Sequence, residues 1–174
     1  MNQDALDAIE KLWEHFVKAR ALCPYMSGGM LGAETYVAGD WYRARGATYF
    51  VRPSRPLTAL DLAEINEIGG FVSRSFVISM AAALEEHNVV PCGTSPDRAL
   101  PGGDHVQLVK WLRNCFAHGN SVYAATDQRH VRTRQLLESL FPVPTQGTTG
   151  FVYSIDTILE PLKDGTLTYI MATT

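Results

Sequence analysis

The chain has 174 residues, of which 46% are apolar and 19% charged, and its formal net charge is −3. This is ordinary globular composition, long enough to bury a sizeable core in one domain spanning 1–174, and it argues against disorder. An acidic pI near 5.9 excludes a protein that coats nucleic acid non-specifically, because such binding neutralises many phosphates at once, so any contact with nucleic acid has to be local.

No apolar run reaches the roughly 18 residues of a membrane span, and Met1-Asn2-Gln3-Asp4 lacks the basic and apolar regions of a signal peptide. A cytoplasmic protein that does not engage a membrane is expected. Cys23, Cys92 and Cys115 are an odd number at no metal-ligand spacing, which suits reduced thiols rather than disulfides. No His, Cys, Asp and Glu cluster at ligand spacing occurs either, so neither a metal nor a cofactor is expected.

In chain order, Asn2 or Asp4 caps a first helix reaching about Leu22, with Leu6, Ile9, Leu12, Trp13, Phe16 and Val17 as its apolar stripe and Cys23-Pro24 as its stop. From Ser27 to Pro56 five glycines interrupt an aromatic-rich stretch (Tyr36, Trp41, Tyr42, Tyr49, Phe50) without helical period. It reads as an irregular insertion containing a short strand pair. Thr58 then opens a scaffold helix from Ala59 to His87, in which Gly69-Gly70 predicts a kink, a break or a close helix crossing.

Pro91 to Gly103 is turn-rich, and Asp104 is the expected N-cap of a helix from His105 to about Ala117, ended by Gly119. Thr126 or Asp127 caps a further helix from Gln128 to Leu140, which Phe141-Pro142-Val143-Pro144 closes. Gly147 to Gly150 reads as a loop. In the tail, Phe151–Ile155 favours a strand, Asp156–Lys163 a short helix, and Asp164-Gly165 a turn before a second strand, Thr166–Ile170.

The chemistry concentrates in Trp111-Leu112-Arg113-Asn114-Cys115-Phe116-Ala117-His118-Gly119. Arginine presents a planar fork of donors suited to phosphate, and histidine moves protons near neutral pH. Four residues apart on a helix, Asn114 and His118 lie about 40° apart on one face, with Arg113 on its flank. Gln107 and Lys110 extend that polar stripe backwards, while Leu108, Val109, Leu112, Cys115 and Phe116 form an opposite, core-facing stripe.

The Arg-x4-His spacing alone recurs by chance. Requiring Asn after the arginine and Gly after the histidine lowers the chance expectation to the order of 0.001. Arg98 and His105 form a decoy, since Pro101-Gly102-Gly103 between them breaks any helix.

Arg113-Asn114-x3-His118-Gly119 at the end of an amphipathic helix resembles the signature of the HEPN superfamily (higher eukaryotes and prokaryotes nucleotide-binding), over roughly Leu57 to Leu140. The resemblance implies a mainly α, up-and-down helical bundle, here with the irregular aromatic-rich insertion and short C-terminal strands. It also implies a homodimer and metal-independent endoribonuclease activity of toxin-antitoxin or defence type, with RNA as substrate and an antitoxin protein as a further partner. Arg113 and His118 become the catalytic pair and Asn114 the polar residue that follows the arginine. HEPN toxins often carry a tyrosine two residues after the histidine, where this chain has Asn120.

Two basic clusters could track an RNA backbone: Arg43, Arg45, Arg52 and Arg55, and the better placed Arg129, His130, Arg132 and Arg134, with Lys110 on the motif helix. Competing readings are a noncatalytic RNA- or nucleotide-binding domain and a helical dimerisation module that works through a protein partner. In the blandest, His118 merely complements a helix C-terminus and Gly119 stops the helix. Glu85 and Glu86, adjacent and on different faces, are no catalytic dyad.

Overall fold

The computed structural model describes residues 2–39, 46, 48–119, 123–142 and 158–173, the side chains of 118 and 119 excepted. Trp41, Tyr42, Arg43 and Arg45, Asn120, the loop from Gly147 to Gly150 and the strand expected at Phe151–Ile155 lie outside the described residues. Those described are mainly helical, with five α-helices: α1 (Gln3–Leu22), α2 (Ala59–Glu86), α3 (Gly103–Gly119), α4 (Gln128–Leu140) and α5 (Glu160–Ala172). The chain divides into two compact units, Trp13–Ser75 and Met1–Leu12 with Phe76–Thr174, so α1 and α2 each contribute to both.

In the unit Trp13–Ser75, the expected irregular insertion holds a short 3-10 helix at Gly28–Met30 and an antiparallel pair, β1 (Tyr36–Val37) with β2 (Phe50–Val51). Met26, Tyr36, Leu57 and Leu62 bury a small core under it. The Asn66 side-chain amide exchanges hydrogen bonds of 2.7 and 2.9 Å with the Met26 backbone, pinning the insertion to α2. Thr58 and Asp61 bond each other reciprocally at the start of α2, a capping box with aspartate in the glutamate position. Asp61 also takes a bidentate contact from Arg55. Those bonds, Arg55's first, hold its carboxyl well below the usual carboxylate range.

The glycine pair does not break α2. A β-carbon on Gly69 would come within 1.7 Å of Arg20 Nη1, so the glycine admits a guanidinium laid across the helix, which donates to the Cys23 carbonyl at 2.7 Å. By length and composition α2 could cross a membrane, with a mean hydropathy of 1.3 over its most apolar window. Yet Phe76, Val77, Met80 and Leu84 are core residues, which a soluble scaffold helix also requires.

In the other unit, α3 packs on both α4 and α5. Val106, Leu108, Val109 and Leu112 are fully buried, and meet a core that includes Leu137, Leu162 and Ile170. Gln107, read as part of the polar stripe, is 7% exposed and belongs to the buried side. Asp104 is not the N-cap: α3 starts one residue earlier, and Asp104 sits in its first turn, paired with Arg98. Asn2 caps α1 through a 3.2 Å bond from the Ala5 N–H, and its amide reaches the His87 carbonyl.

The tail differs most from expectation. Glu160–Ala172 is one helix, α5, so the short helix to Lys163, the turn at Asp164-Gly165 and the strand at Thr166–Ile170 are all replaced. Two physical reasons account for it. Buried Leu159, Leu162, Thr166, Tyr169 and Ile170 recur at helical spacing, and the Thr166 and Thr168 hydroxyls donate back to the carbonyls of Leu162 and Asp164, which suits threonine to a helix despite its β-branch. Gly165 is a packing glycine, since a β-carbon there would meet the His105 ring at 2.2 Å. Gly102, at φ 78°, is equally constrained, because its β-carbon would fall 2.1 Å from the Gly165 carbonyl oxygen.

Candidate functional site

The C-terminal half of α3 and the N-terminal half of α4 enclose a cavity of about 340 Å³. Trp111, Asn114 and Cys115 line it from α3, at positions that share one helix face. Asp127, Arg129, His130, Arg132 and Thr133 line it from the other side. Arg129, His130 and Arg132 of the second basic cluster therefore meet the motif's asparagine in one place, although Asn114 and Arg129 are 15 positions apart in sequence.

Asp127 organises the α4 end of the cavity. As N-cap it accepts the Arg129 backbone N–H at 2.8 Å and is gripped by the same arginine's Nε and Nη2 at 3.1 and 2.7 Å. The Arg129 side chain, then its backbone N–H, hold the carboxyl well below the usual carboxylate range, so it is ionised at any physiological pH. His130 accepts the Ala124 N–H at Nδ1, 3.0 Å away, so the neutral ring carries its proton on Nε2. That nitrogen stands 4.0 Å from Asp127. Deeper, Cys115 lies 3.8 Å from the Thr133 hydroxyl, and burial pushes its thiol up.

The expected site residues divide. Arg113 hydrogen-bonds Asn114 Oδ1 at 3.4 Å and reaches Glu85 of α2 at 3.6 Å. Glu85 is thus a partner of the motif arginine, one that the sequence reading passed over in rejecting a carboxylate dyad. The two lie 28 residues apart, and no local pattern announces the pair. Lys110 points elsewhere, donating to the Thr94 carbonyl at 2.6 Å and so tying the turn-rich segment to α3. Arg129 and Arg132 border the cavity, whereas Arg134 stacks on Tyr123, its guanidinium carbon 3.3 Å from the ring centroid. The backbone of His118 is in the last turn of α3; its side chain lies outside the described residues.

Trp111 carries a contact the sequence reading did not assign, with the Arg132 guanidinium 5.9 Å from its ring centroid. Among the described residues, no group of three His, Cys, Asp or Glu side chains is placed to hold a metal ion. Comparison with protein-family models, with curated proteins and with solved structures returns no match.

Proposed function

We propose that the chain is a metal-independent endoribonuclease of toxin-antitoxin or defence type, acting in the cytoplasm through Arg113, Asn114 and His118. The observation that carries this reading is the cavity in which the motif's Asn114 meets Arg129 and Arg132 of α4. It supplies the local positive charge that a chain of net charge −3 needs to hold RNA.

In this reading an imidazole takes the proton of the ribose 2′-hydroxyl, the 2′-oxygen attacks phosphorus, and an imidazolium returns a proton to the departing 5′-oxygen. The products are a 2′,3′-cyclic phosphate and a 5′-hydroxyl. Arg113 stabilises the charge that builds on the phosphorane, and Asn114 orients the group beside it. One imidazole cannot be base and acid in the same step, so two copies of the motif, brought together in a homodimer, provide both. An antitoxin protein would act by covering this site.

The purified protein incubated with total RNA in EDTA should generate fragments ending in 2′,3′-cyclic phosphate. His118→Ala and Arg113→Ala should each reduce the rate at least a hundredfold. Wild type cutting no faster than these variants refutes the enzyme, as does a strictly monomeric protein the shared site. The ion pair of Arg113 with Glu85 favours a second reading, a noncatalytic RNA- or nucleotide-binding domain, because it gives the arginine a structural partner. RNA binding without cleavage would select it.

A further inference from the structure

The cavity between α3 and α4 has an uncharged floor and a charged rim. Its floor is the Trp111 ring, the un-ionised Cys115 thiol and Thr133, whose hydroxyl is spent on the Arg129 carbonyl at 2.7 Å. At the rim stand the Asn114 amide, His130, the ion pair of Arg129 with Asp127, and the guanidinium of Arg132, which carries the rim's positive charge. A bare phosphate would want donors converging on the floor, and an apolar side chain would have no use for the cations. A flat, uncharged heterocycle joined to an anion satisfies both parts.

The tryptophan supports the same ligand. Trp111 lines the cavity, and the Arg132 guanidinium lies over its ring, 5.9 Å from the centroid, at the outer reach of a cation–π contact. Arg132 is exposed, and among the described residues its hydrogen bond is a 3.3 Å contact from Nε to the Gln128 carbonyl. Its terminal nitrogens have no partner among the described residues. Arg129, by contrast, is committed to Asp127. Trp111 therefore gives the cavity an aromatic surface, beside a cation with donors to spare. The cavity's 340 Å³ lies within the range of small-molecule sites.

We propose that this cavity is a nucleotide subsite: the base stacks on Trp111, and the adjoining phosphate is held by Arg132. The assignment rests on the reading that the neighbouring motif handles RNA, and it makes one nucleotide next to the cut the element the protein recognises.

Equilibrium dialysis of AMP against the full chain in EDTA tests it with no cleavage step. Saturable binding is expected, weakened about tenfold or more by Trp111→Ala and retained within about threefold by Trp111→Phe, which keeps a stacking surface. Arg132→Ala, an exposed substitution that leaves the fold intact, should weaken AMP about tenfold. Ribose 5-phosphate, which lacks the base, should bind far more weakly than AMP. Equal affinity for ribose 5-phosphate, or AMP binding indifferent to both Trp111→Ala and Arg132→Ala, overturns the proposal. A short oligoadenylate that outcompetes AMP assigns the ligand to an RNA chain, and the reverse order to a free nucleotide. A protein that cuts no RNA yet binds AMP with these dependences refutes the nuclease alone, and one that cuts RNA but fails them refutes the subsite alone.

Discussion

At its first turn α3 approaches α5 so closely that no side chain fits at Gly102 or Gly165, and the His105 ring lies flush against the second of them with its edge toward Phe141. Three turns further on, the same helix faces a cavity of about 340 Å³, where Arg129 is held by the Asp127 cap and Arg132 by one bond to the Gln128 carbonyl. Backbone against backbone leaves nothing to adjust; side chains around a void can move at little cost. One helix thus combines an anchored end, which sets where α3 lies, with an adaptable end, which carries the chemistry.

The largest effect should come from Gly102→Ala. It combines a left-handed backbone with a β-carbon pressed on a carbonyl oxygen, and should cost about 3 kcal/mol in urea unfolding or prevent folding. Gly165→Ala should cost about 2 kcal/mol, because the His105 ring must yield. Adding His105→Ala should return part of that loss, and strict additivity of the two would show that the ring is not the obstacle.

A weaker handle on the anchored end is pH. Burial lowers the pKa of His105 from its ordinary 6.5, against a smaller opposing effect of Asp104. The unfolded chain therefore binds the proton first. The neutral ring's contribution to stability is complete above 6.5 and is lost as pH falls from there through the lowered folded value. His105→Gln should flatten this part of the stability profile. The smallest effect belongs to the adaptable end, where Arg132→Ala should change stability by less than about 0.5 kcal/mol. A loss comparable to that of Gly165→Ala would erase the distinction between the two ends.

The helices legible in the sequence are those whose ends carry their own chemistry. Thr58 marks the start of α2 as expected, Asp127 proves to be the cap of α4 where Thr126 or Asp127 was expected, and α4 runs from Gln128 to Leu140. α5 was illegible because its markers answer to tertiary contacts: Gly165 looks like a turn until His105 is against it, and the threonines look like strand until their hydroxyls find helical carbonyls. The same division holds for the site. Arg113 and Asn114 could be found by spacing on one helix, but the Glu85 partner, the diversion of Lys110 to Thr94 and the pairing of Trp111 with Arg132 are all non-local. Periodicity within a segment cannot encode them.

Cys115 turns the cavity wall into a clock. Its buried thiol is held un-ionised and so reacts slowly with alkylating reagents. Cys92 is exposed and should be modified at once, with Cys23 between them. Once those two are blocked, the rate at which Cys115 takes up label reports how readily a reagent reaches the cavity floor, and a ligand seated on Trp111 would slow it.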